Sequence, residues 1–176
     1  MRSRFVLSAA LAIALASAGT AVAATATPVM SGLDNPRGLA FARNGALYVA
    51  EAGRGGAGPC QVLRGDTQCY GPTGRISRLW RGVQSPVVTG LPSYVTTTGP
   101  DTGSATGPHD LVVHHHHAHI TIGWGADPAL RATPPSAVWQ QFGHLVRANL
   151  KGTGKWEARR RRLGLRGSRQ PGRRPR

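Results

Sequence analysis

The chain has 176 residues and a formal net charge of +15, with 24 glycines, 13 prolines and two cysteines. This length favours a single domain, and so many turn-forming residues favour an all-β fold over a helical one. The charge is uneven, because residues 24–142 hold eight arginines and six acids, whereas residues 143–176 hold twelve lysines or arginines and one acid. The near-neutral body therefore argues against a nucleic-acid-binding domain.

The N-terminal 23 residues have the pattern of a secretory signal peptide. Two arginines precede an apolar run at residues 5–16, which is too short to span a bilayer, and A-V-A at residues 21–23 matches a cleavage site. A retained N-terminal anchor is the alternative. The pattern predicts a secreted, extracellular protein with no membrane span after cleavage.

One pattern occurs twice in the body of the chain. P-R-G-L-A-F-A-R-N-G-A-L-Y-V-A-E-A-G at Pro36–Gly53 is matched by P-H-D-L-V-V-H-H-H-H-A-H-I-T-I-G-W-G at Pro108–Gly125, 72 positions later. Each copy predicts a β-hairpin, and Asn44-Gly45 predicts a two-residue type I′ turn in the first, since both residues tolerate positive φ. A shorter echo follows each copy, at Gly74–Arg78 and Gly143–Arg147. Repeats of this kind are typical of propellers and solenoids.

Two further segments complete the first unit. Alternating residues at Arg75–Trp80 predict a third strand, and Ser85–Leu91 predicts a fourth. Four strands form one propeller blade, here at about residues 28–92. Residues 94–107 are predicted to form a polar loop.

The second unit covers about residues 108–156, with a third strand at Phe142–Asn149 and an incomplete fourth. The sequence therefore predicts an incomplete β-propeller of about two blades at residues 24–156. Closed propellers typically have about 4–8 blades. Two blades expose sheet edges, so we expect the chain to be marginally stable unless it self-assembles.

The two cysteines, Cys60 and Cys69, lie in the turn-rich insert of the first unit. In an oxidising compartment we expect them to form a disulfide, which would stabilise the fold by roughly 2–3 kcal/mol. Half of a metal site or a redox pair is the alternative, although the spacing is not C-x-x-C.

The last segment, residues 157–176, is rich in arginine and has little apolar surface to bury. It is predicted to be disordered and to bind polyanions weakly and in a salt-dependent way. An alternative is that a frameshift between Trp156 and Leu163 replaced the native continuation and gave a truncated product. Codons can be chosen for this segment whose +1 frame encodes V-S-A-Y-E-A-A-A-N-P.

Three motifs occur in order along the body: V-M-S-G-L-D-N-P-R-G-L-A-F, C-Y-G-P-T-G-R-I-S-R-L-W and T-I-G-W-G-A-D-P. Together they resemble the ScyD/ScyE family of secreted β-propeller proteins, and the resemblance runs from about Pro28 to Trp156. It implies a multi-bladed propeller of the TolB-like or NHL-like sort, of which this chain is a part, and it brings no catalytic residues. The chain departs from the family at His114–His117, where the family has a glycine-containing hairpin turn.

A histidine cluster is the richest group of candidate metal ligands in the sequence. Neutral imidazoles bind Zn²⁺, Cu²⁺ or Ni²⁺. In a continuous strand His115, His117 and His119 share a face, whereas a turn at His115-His116 would make His114 and His117 face each other. The sequence favours the alternative that these histidines bind divalent metals adventitiously, as a purification tag does.

The acids of the body suggest a second candidate. Asp34-Asn35, Glu51, Asp110 and Asp127 could line a propeller channel, where lactonase-type propellers hold Ca²⁺ or Zn²⁺. The preferred alternative is that Asp34-Asn35-Pro36 and Asp127-Pro128 are turn residues with side-chain-to-backbone hydrogen bonds. The tryptophans and tyrosines are interpreted as packing anchors.

These observations predict a non-catalytic extracellular binding or scaffold module. The alternative is a propeller hydrolase of the lactonase type that uses a metal in the central channel. A third interpretation is a non-functional truncated product. The sequence names no ligand or partner.

Overall fold

The computed structural model describes residues 26–151 and 155–158. In this part of the chain the strands form two antiparallel sheets, so the all-β prediction is confirmed. Sheet one contains β1 (Pro36–Phe41), β2 (Leu47–Glu51), β3 (Cys60–Leu63), β4 (Asp66–Trp80), β5 (Val83–Thr96) and β6 (Ala105–Thr106). Sheet two contains β7 (Pro108–His114), β8 (His117–Ile122), β9 (His144–Asn149) and β10 (Trp156–Ala158).

The strand order follows the internal repeat. Sheet one has the order β1-β2-β4-β5-β6 with β3 paired to β4, and sheet two has the order β10-β9-β8-β7. Each sheet thus holds a four-stranded meander, and the two meanders begin at the equivalent residues Pro36 and Pro108. Neither sheet closes on itself in the described residues.

The predicted signal peptide and the predicted basic tail lie at the two ends of the chain, largely beyond the described residues. The predicted signal peptide lies outside the described residues. Glu157 and Ala158 continue β10, so sheet two extends two residues past the predicted start of the basic tail. The remainder of that tail, residues 159–176, lies outside the described residues.

The first hairpin is confirmed, but the predicted turn type is wrong. Gly45 N donates to Ala42 O at 2.9 Å, and Gly45 alone in this loop has positive φ, at 82°. Asn44 therefore does not adopt the left-handed conformation that a type I′ turn requires at both central positions. The loop has three residues, Arg43 to Gly45, with the left-handed glycine last, as in the common turn-plus-bulge hairpin.

Type I′ geometry occurs instead at two Arg-Gly pairs. Arg64 and Gly65, between β3 and β4, have φ of 55° and 90°, and Arg81 and Gly82, between β4 and β5, have 50° and 76°. The pair at 64–65 turns the cysteine insert into a hairpin rather than an irregular loop. Strand β4 consequently begins nine residues before the predicted start at Arg75.

The predicted polar loop at residues 94–107 is also shorter than expected. Strand β5 continues to Thr96, and β6 pairs with Tyr94 and Val95. The long β4–β5 pair accommodates this extension through irregularities in register between Gly71 and Ser77. Such bulges increase the local twist of a sheet and let a long pair curve around its neighbour.

The two sheets meet along their first strands, β1 and β7. Glycines line this junction: a Cβ on Gly38 would overlap Asp110, and one on Gly74 would lie 2.6 Å from Pro108 Cδ. A Cβ on Gly107 would overlap the carbonyl of Ala52 and lie 2.9 Å from the carbonyl of Pro92. The close approach of the sheets therefore depends on the absence of side chains at these positions.

The apolar core lies between the sheets. Buried side chains from sheet one, including Tyr48, Ile76 and Val88, pack with buried side chains from sheet two, including Ile120 and Val146. The connection between β8 and β9 contains a 3₁₀ helix (Pro128–Ala132) and α1 (Ser136–Trp139). It closes one end of the core with an aromatic cluster of Tyr94, Trp124, Trp139 and Phe142, whose ring centroids lie 5.0–6.3 Å apart. Their packing role is confirmed.

Replacing Gly107 with alanine should destabilise the protein by about 1–3 kcal/mol, because the added methyl group overlaps backbone atoms that cannot move independently. The measurement is the free energy of unfolding in urea. Gly125→Ala is the matched control, since its Cβ would meet the nearest atom, Tyr94 Oη, at 3.4 Å. Equal stability of the two variants would contradict the proposed close junction.

Candidate functional site

A buried polar network lies at the end of β2. Glu51 is fully buried, and its Oε2 accepts hydrogen bonds from Arg75 Nε at 2.9 Å and from the backbone N of Asp34 at 2.6 Å. Its Oε1 accepts a hydrogen bond from Ser77 Oγ. The antiparallel register explains this arrangement, because β2 pairs Glu51 with Arg75 of β4, and Ser77 lies two residues further along the same face.

The network carries opposite charges that balance. Arg75 Nη2 lies 2.8 Å from Glu51 Oε2 and 3.4 Å from Asp34 Oδ2, and Arg54 Nε lies 3.4 Å from the same Asp34 atom. The hydrogen bond to Glu51 raises the pKa of Arg75 above its ordinary value, so the guanidinium is firmly charged. The network holds the connector before β1, through Asp34, against β2 and β4 of sheet one.

These contacts bear on the acids predicted to line a channel. Protein donors occupy both oxygens of Glu51, so this carboxylate does not fit the role of a metal ligand. Asp110 lies beside Gly38 and accepts a hydrogen bond from the backbone N of Leu111 at 2.8 Å. The acids therefore act within the fold rather than as one converging set.

The turn interpretation is confirmed for Asp127 and only in part for Asp34-Asn35-Pro36. Asp127 accepts a hydrogen bond from Ala129 N at 2.9 Å and caps the 3₁₀ helix. Asn35 has φ of 51° and donates from Nδ2 to the backbone O of Gly53, 18 residues along the chain, at 3.0 Å. The side chain of Asp34 lies instead in the ion pairs of the Glu51 network.

The predicted disulfide is confirmed. Cys60 of β3 and Cys69 of β4 are directly opposite each other in the hairpin and are bonded. The covalent link holds together a hairpin that is only partly buried, since Leu63 lies in the core whereas Val62 is 62% exposed. The cysteines therefore have a structural partner in each other rather than a metal.

The histidine cluster forms the tip of the second hairpin. The turn lies at His115-His116, so His114 and His117 are paired across the strands, as the second sequence hypothesis stated. His115 Nδ1 lies 3.1 Å from His114 Nδ1, whereas His119 lies further along β8, opposite Val112. Within the described residues, no three histidine, cysteine or acidic side chains gather closely enough to hold a metal ion. A physiological metal site here stays a prediction.

The tips of the two hairpins border a groove of about 370 Å³, which we call the tip groove. The loop of the first hairpin lines one part of this groove, and His114 to His116 of the second hairpin line another. Leu150 and Lys151, which directly follow β9, complete the lining. Its lining residues are Ala42, Arg43, Asn44, Tyr48, Arg78, Val113, His114, His115, His116, Leu150 and Lys151. The lining contains three permanently charged cations and no aspartate or glutamate.

The electrostatic environment of the tip groove is positive. The pKa of His116 lies below its ordinary value, first because neighbouring groups displace part of its hydration and then because Lys151 and two adjacent histidines add positive charge, although the ring itself is exposed. The Nε of Arg78 is buried and has no hydrogen-bond partner within the described part of the protein. Arg78 itself lines the groove, although this nitrogen is buried behind it.

A larger groove of about 670 Å³ lies beside the two short helices. Arg131 donates to Phe142 O at 2.9 Å, and the His144 ring lies 2.7 Å from Gln140 O. Gln141 donates to Ala137 O at 3.2 Å. Most polar side chains of this groove therefore have partners within the protein, and it holds one arginine where the tip groove holds three cations.

Sequence reasoning missed the cationic residues of the tip groove. Arg43, Arg78 and Lys151 are far apart in the sequence. There they contribute only to the net charges of residues 24–142 and 143–176. One signal was present: Arg78 lies two residues after Ile76 in an alternating strand, which places a cation on the face that holds the core.

Comparisons with known proteins add no identification. No family model, no curated protein and no solved structure matches the chain. The resemblance to the ScyD/ScyE family therefore stays a prediction. No helix in residues 26–151 and 155–158 is long and apolar enough to cross a membrane.

Replacing Arg75 with methionine should lower the free energy of unfolding by about 3–5 kcal/mol, because it leaves the buried Glu51 carboxylate without its countercharge. The measurement is urea denaturation at neutral pH. Arg54→Met is the matched control: that side chain is 73% exposed, so its ion pair should contribute about 0–1 kcal/mol. If Arg75→Met and Arg54→Met lower the free energy of unfolding by similar amounts, the Glu51 network is not the stabilising element.

Replacing His115 with glycine should raise stability by about 0.5–1 kcal/mol. A side chain in the left-handed region costs roughly 1–2 kcal/mol, and the added flexibility of glycine offsets part of the gain. His116→Gly is the control, because His116 does not have positive φ and should lose about 0.5–1 kcal/mol. Thermal unfolding of both variants distinguishes the two effects, and a loss at His115 would argue against this turn.

Proposed function

We propose that this chain is a secreted propeller-type binding or scaffold module of the ScyD/ScyE kind, without a catalytic role. The observation that carries the proposal is the structural repeat. Two four-stranded antiparallel meanders contact each other through their first strands, β1 and β7. Propeller blades are four-stranded sheets arranged around a central channel, and this arrangement is consistent with two neighbouring blades.

The proposal of export has separate support. A disulfide between Cys60 and Cys69 is typical of proteins that fold in an oxidising compartment. The apolar N-terminal segment with its A-V-A site accounts for entry into that compartment. Both features agree with an extracellular location.

A binding role is better supported than the lactonase-type alternative. A channel metal needs several free carboxylates, and both oxygens of Glu51 are already bound by Arg75, Ser77 and the backbone of Asp34. The tip groove, in contrast, is lined by three cations that form no ion pair among the described residues. The geometry therefore favours recognition of a ligand over metal-assisted hydrolysis.

Self-assembly follows from the proposed blade number. Two blades per chain reach the typical 4–8 blades of a closed ring when two, three or four copies combine. Apolar side chains available for such contacts are exposed on the strands at the junction: Leu39 is 58% exposed, Phe41 68% and Val112 61%. Burying them between copies would remove apolar surface that is unfavourable in water.

Sedimentation velocity of the full chain should show a discrete assembly of two to four copies. The double variant Phe41→Ser, Val112→Ser should shift the assembly toward monomer, because it removes exposed apolar contacts next to the junction. Val83→Ser is the control: Val83 is 64% exposed but follows the β4–β5 turn, on the strand furthest from β1 in the meander. A stable monomer with cooperative unfolding would contradict the propeller proposal.

A further inference from the structure

We propose that the tip groove binds a phosphate or sulfate group carried on a small organic molecule. The inference names a ligand for the binding role proposed above and rests on that role, but it does not rest on the proposed self-assembly. The groove is formed within one chain, so its occupancy does not require assembly into a ring. Binding and assembly can therefore fail independently.

The first support is the unbalanced charge. Arg43, Arg78 and Lys151 border the tip groove from three different elements, and none of them takes part in an ion pair among the described residues. The cations of the Glu51 network, in contrast, face Asp34 and Glu51 directly. A cluster of three cations without an acid attracts an anion and repels a metal ion.

The second support is the position of Arg78. Strand β4 places Arg78 opposite Tyr48 of β2, at the edge of the core, and its side chain lines the tip groove. Its Nε is buried and has no hydrogen-bond partner among the described residues, so a ligand in the groove would meet the rest of the guanidinium. A guanidinium presents its N–H donors in a planar fork, and this geometry suits phosphate and sulfate.

The third support is the shape of the tip groove. Its volume of about 370 Å³ falls in the range of small-molecule sites, which is more than a bare ion needs. Tyr48, Val113 and Leu150 contribute apolar surface beside the cations. The groove therefore fits a ligand with one anionic group and a compact organic body, such as a sugar phosphate or a sugar sulfate.

A small ligand fits the groove better than a nucleic acid. Single-stranded nucleic acids are held by several exposed aromatic side chains on which bases stack. The lining contains no tryptophan or phenylalanine, its one tyrosine, Tyr48, is only 7% exposed, and its exposed rings are the small imidazoles of His114 to His116. The groove thus lacks the large exposed aromatic rings on which successive bases stack.

Titration of the full chain with glucose 6-phosphate, glucose 6-sulfate and glucose tests the proposal. Metal-free buffer excludes bridging by divalent ions at the histidines. Residue-resolved NMR shifts separate the groove from the basic tail, since binding should move the amide signals of Tyr48, Arg78 and Lys151. We expect saturable shifts with one or both anionic sugars and none with glucose. The ratio of the two dissociation constants shows whether the groove prefers phosphate or sulfate.

The matched variants are Arg78→Gln and Arg54→Gln, which each remove one positive charge from the body. Arg78→Gln should weaken binding about tenfold or more, because it removes a charge-assisted hydrogen bond. Arg54→Gln should leave the affinity within about twofold, because that side chain belongs to the Glu51 network. If Arg78→Gln fails to fold, Arg43→Gln in the exposed hairpin loop provides the same comparison.

Three outcomes would overturn the proposal. The first is that shifts appear only at residues 159–176, which would assign the binding to the tail. The second is that glucose binds as well as the anionic sugars. The third is that Arg78→Gln and Arg54→Gln bind equally, which would mean that Arg78 does not contact the ligand.

Discussion

The fold depends on one fully buried charge, the carboxylate of Glu51. An isolated carboxylate in the interior is strongly unfavourable, and this one is tolerated because Arg75, Ser77 and the backbone of Asp34 satisfy it together. Three segments that are distant in the sequence must therefore meet at one point. The connector before β1 is held against sheet one, and the register of β2 against β4 is fixed, because a shift by one residue would turn Arg75 to the opposite face.

The sequence predicted the regular parts of the fold well. The repeat starting at Pro36 and Pro108 implied two hairpins, one four-stranded unit and a second unit with an incomplete fourth strand, and these follow from local alternation and from the spacing of turns. It predicted turn geometry less well: Asn44-Gly45 is favourable for a type I′ turn, but the hairpin register demands three residues there. At Arg64-Gly65 an arginine adopts positive φ because the pairing of the two cysteines fixes the strands on either side.

The candidate site could be predicted only in part, because it depends on contacts between repeats. The histidines were visible as a run of one residue type, and the alternative in which His114 faces His117 required only the position of the turn. The tip groove required the distance between two hairpins 72 positions apart in the sequence, which local patterns do not contain. The junction glycines make this distance short, so Arg43 of the first copy and His114 to His116 of the second line the same groove.

A comparison within β4 shows why total charge was a poor guide to binding. Arg75 and Arg78 are three residues apart in one strand, so they lie on opposite faces. Arg75 faces Glu51 and is neutralised by it, which gives it a structural role. Arg78 faces the core side and lines the tip groove, and among the described residues no acid forms an ion pair with it and its Nε has no hydrogen-bond partner. Whether an arginine stabilises the fold or is available to a ligand is therefore decided by the residue opposite it, and a net charge of +15 does not contain that information.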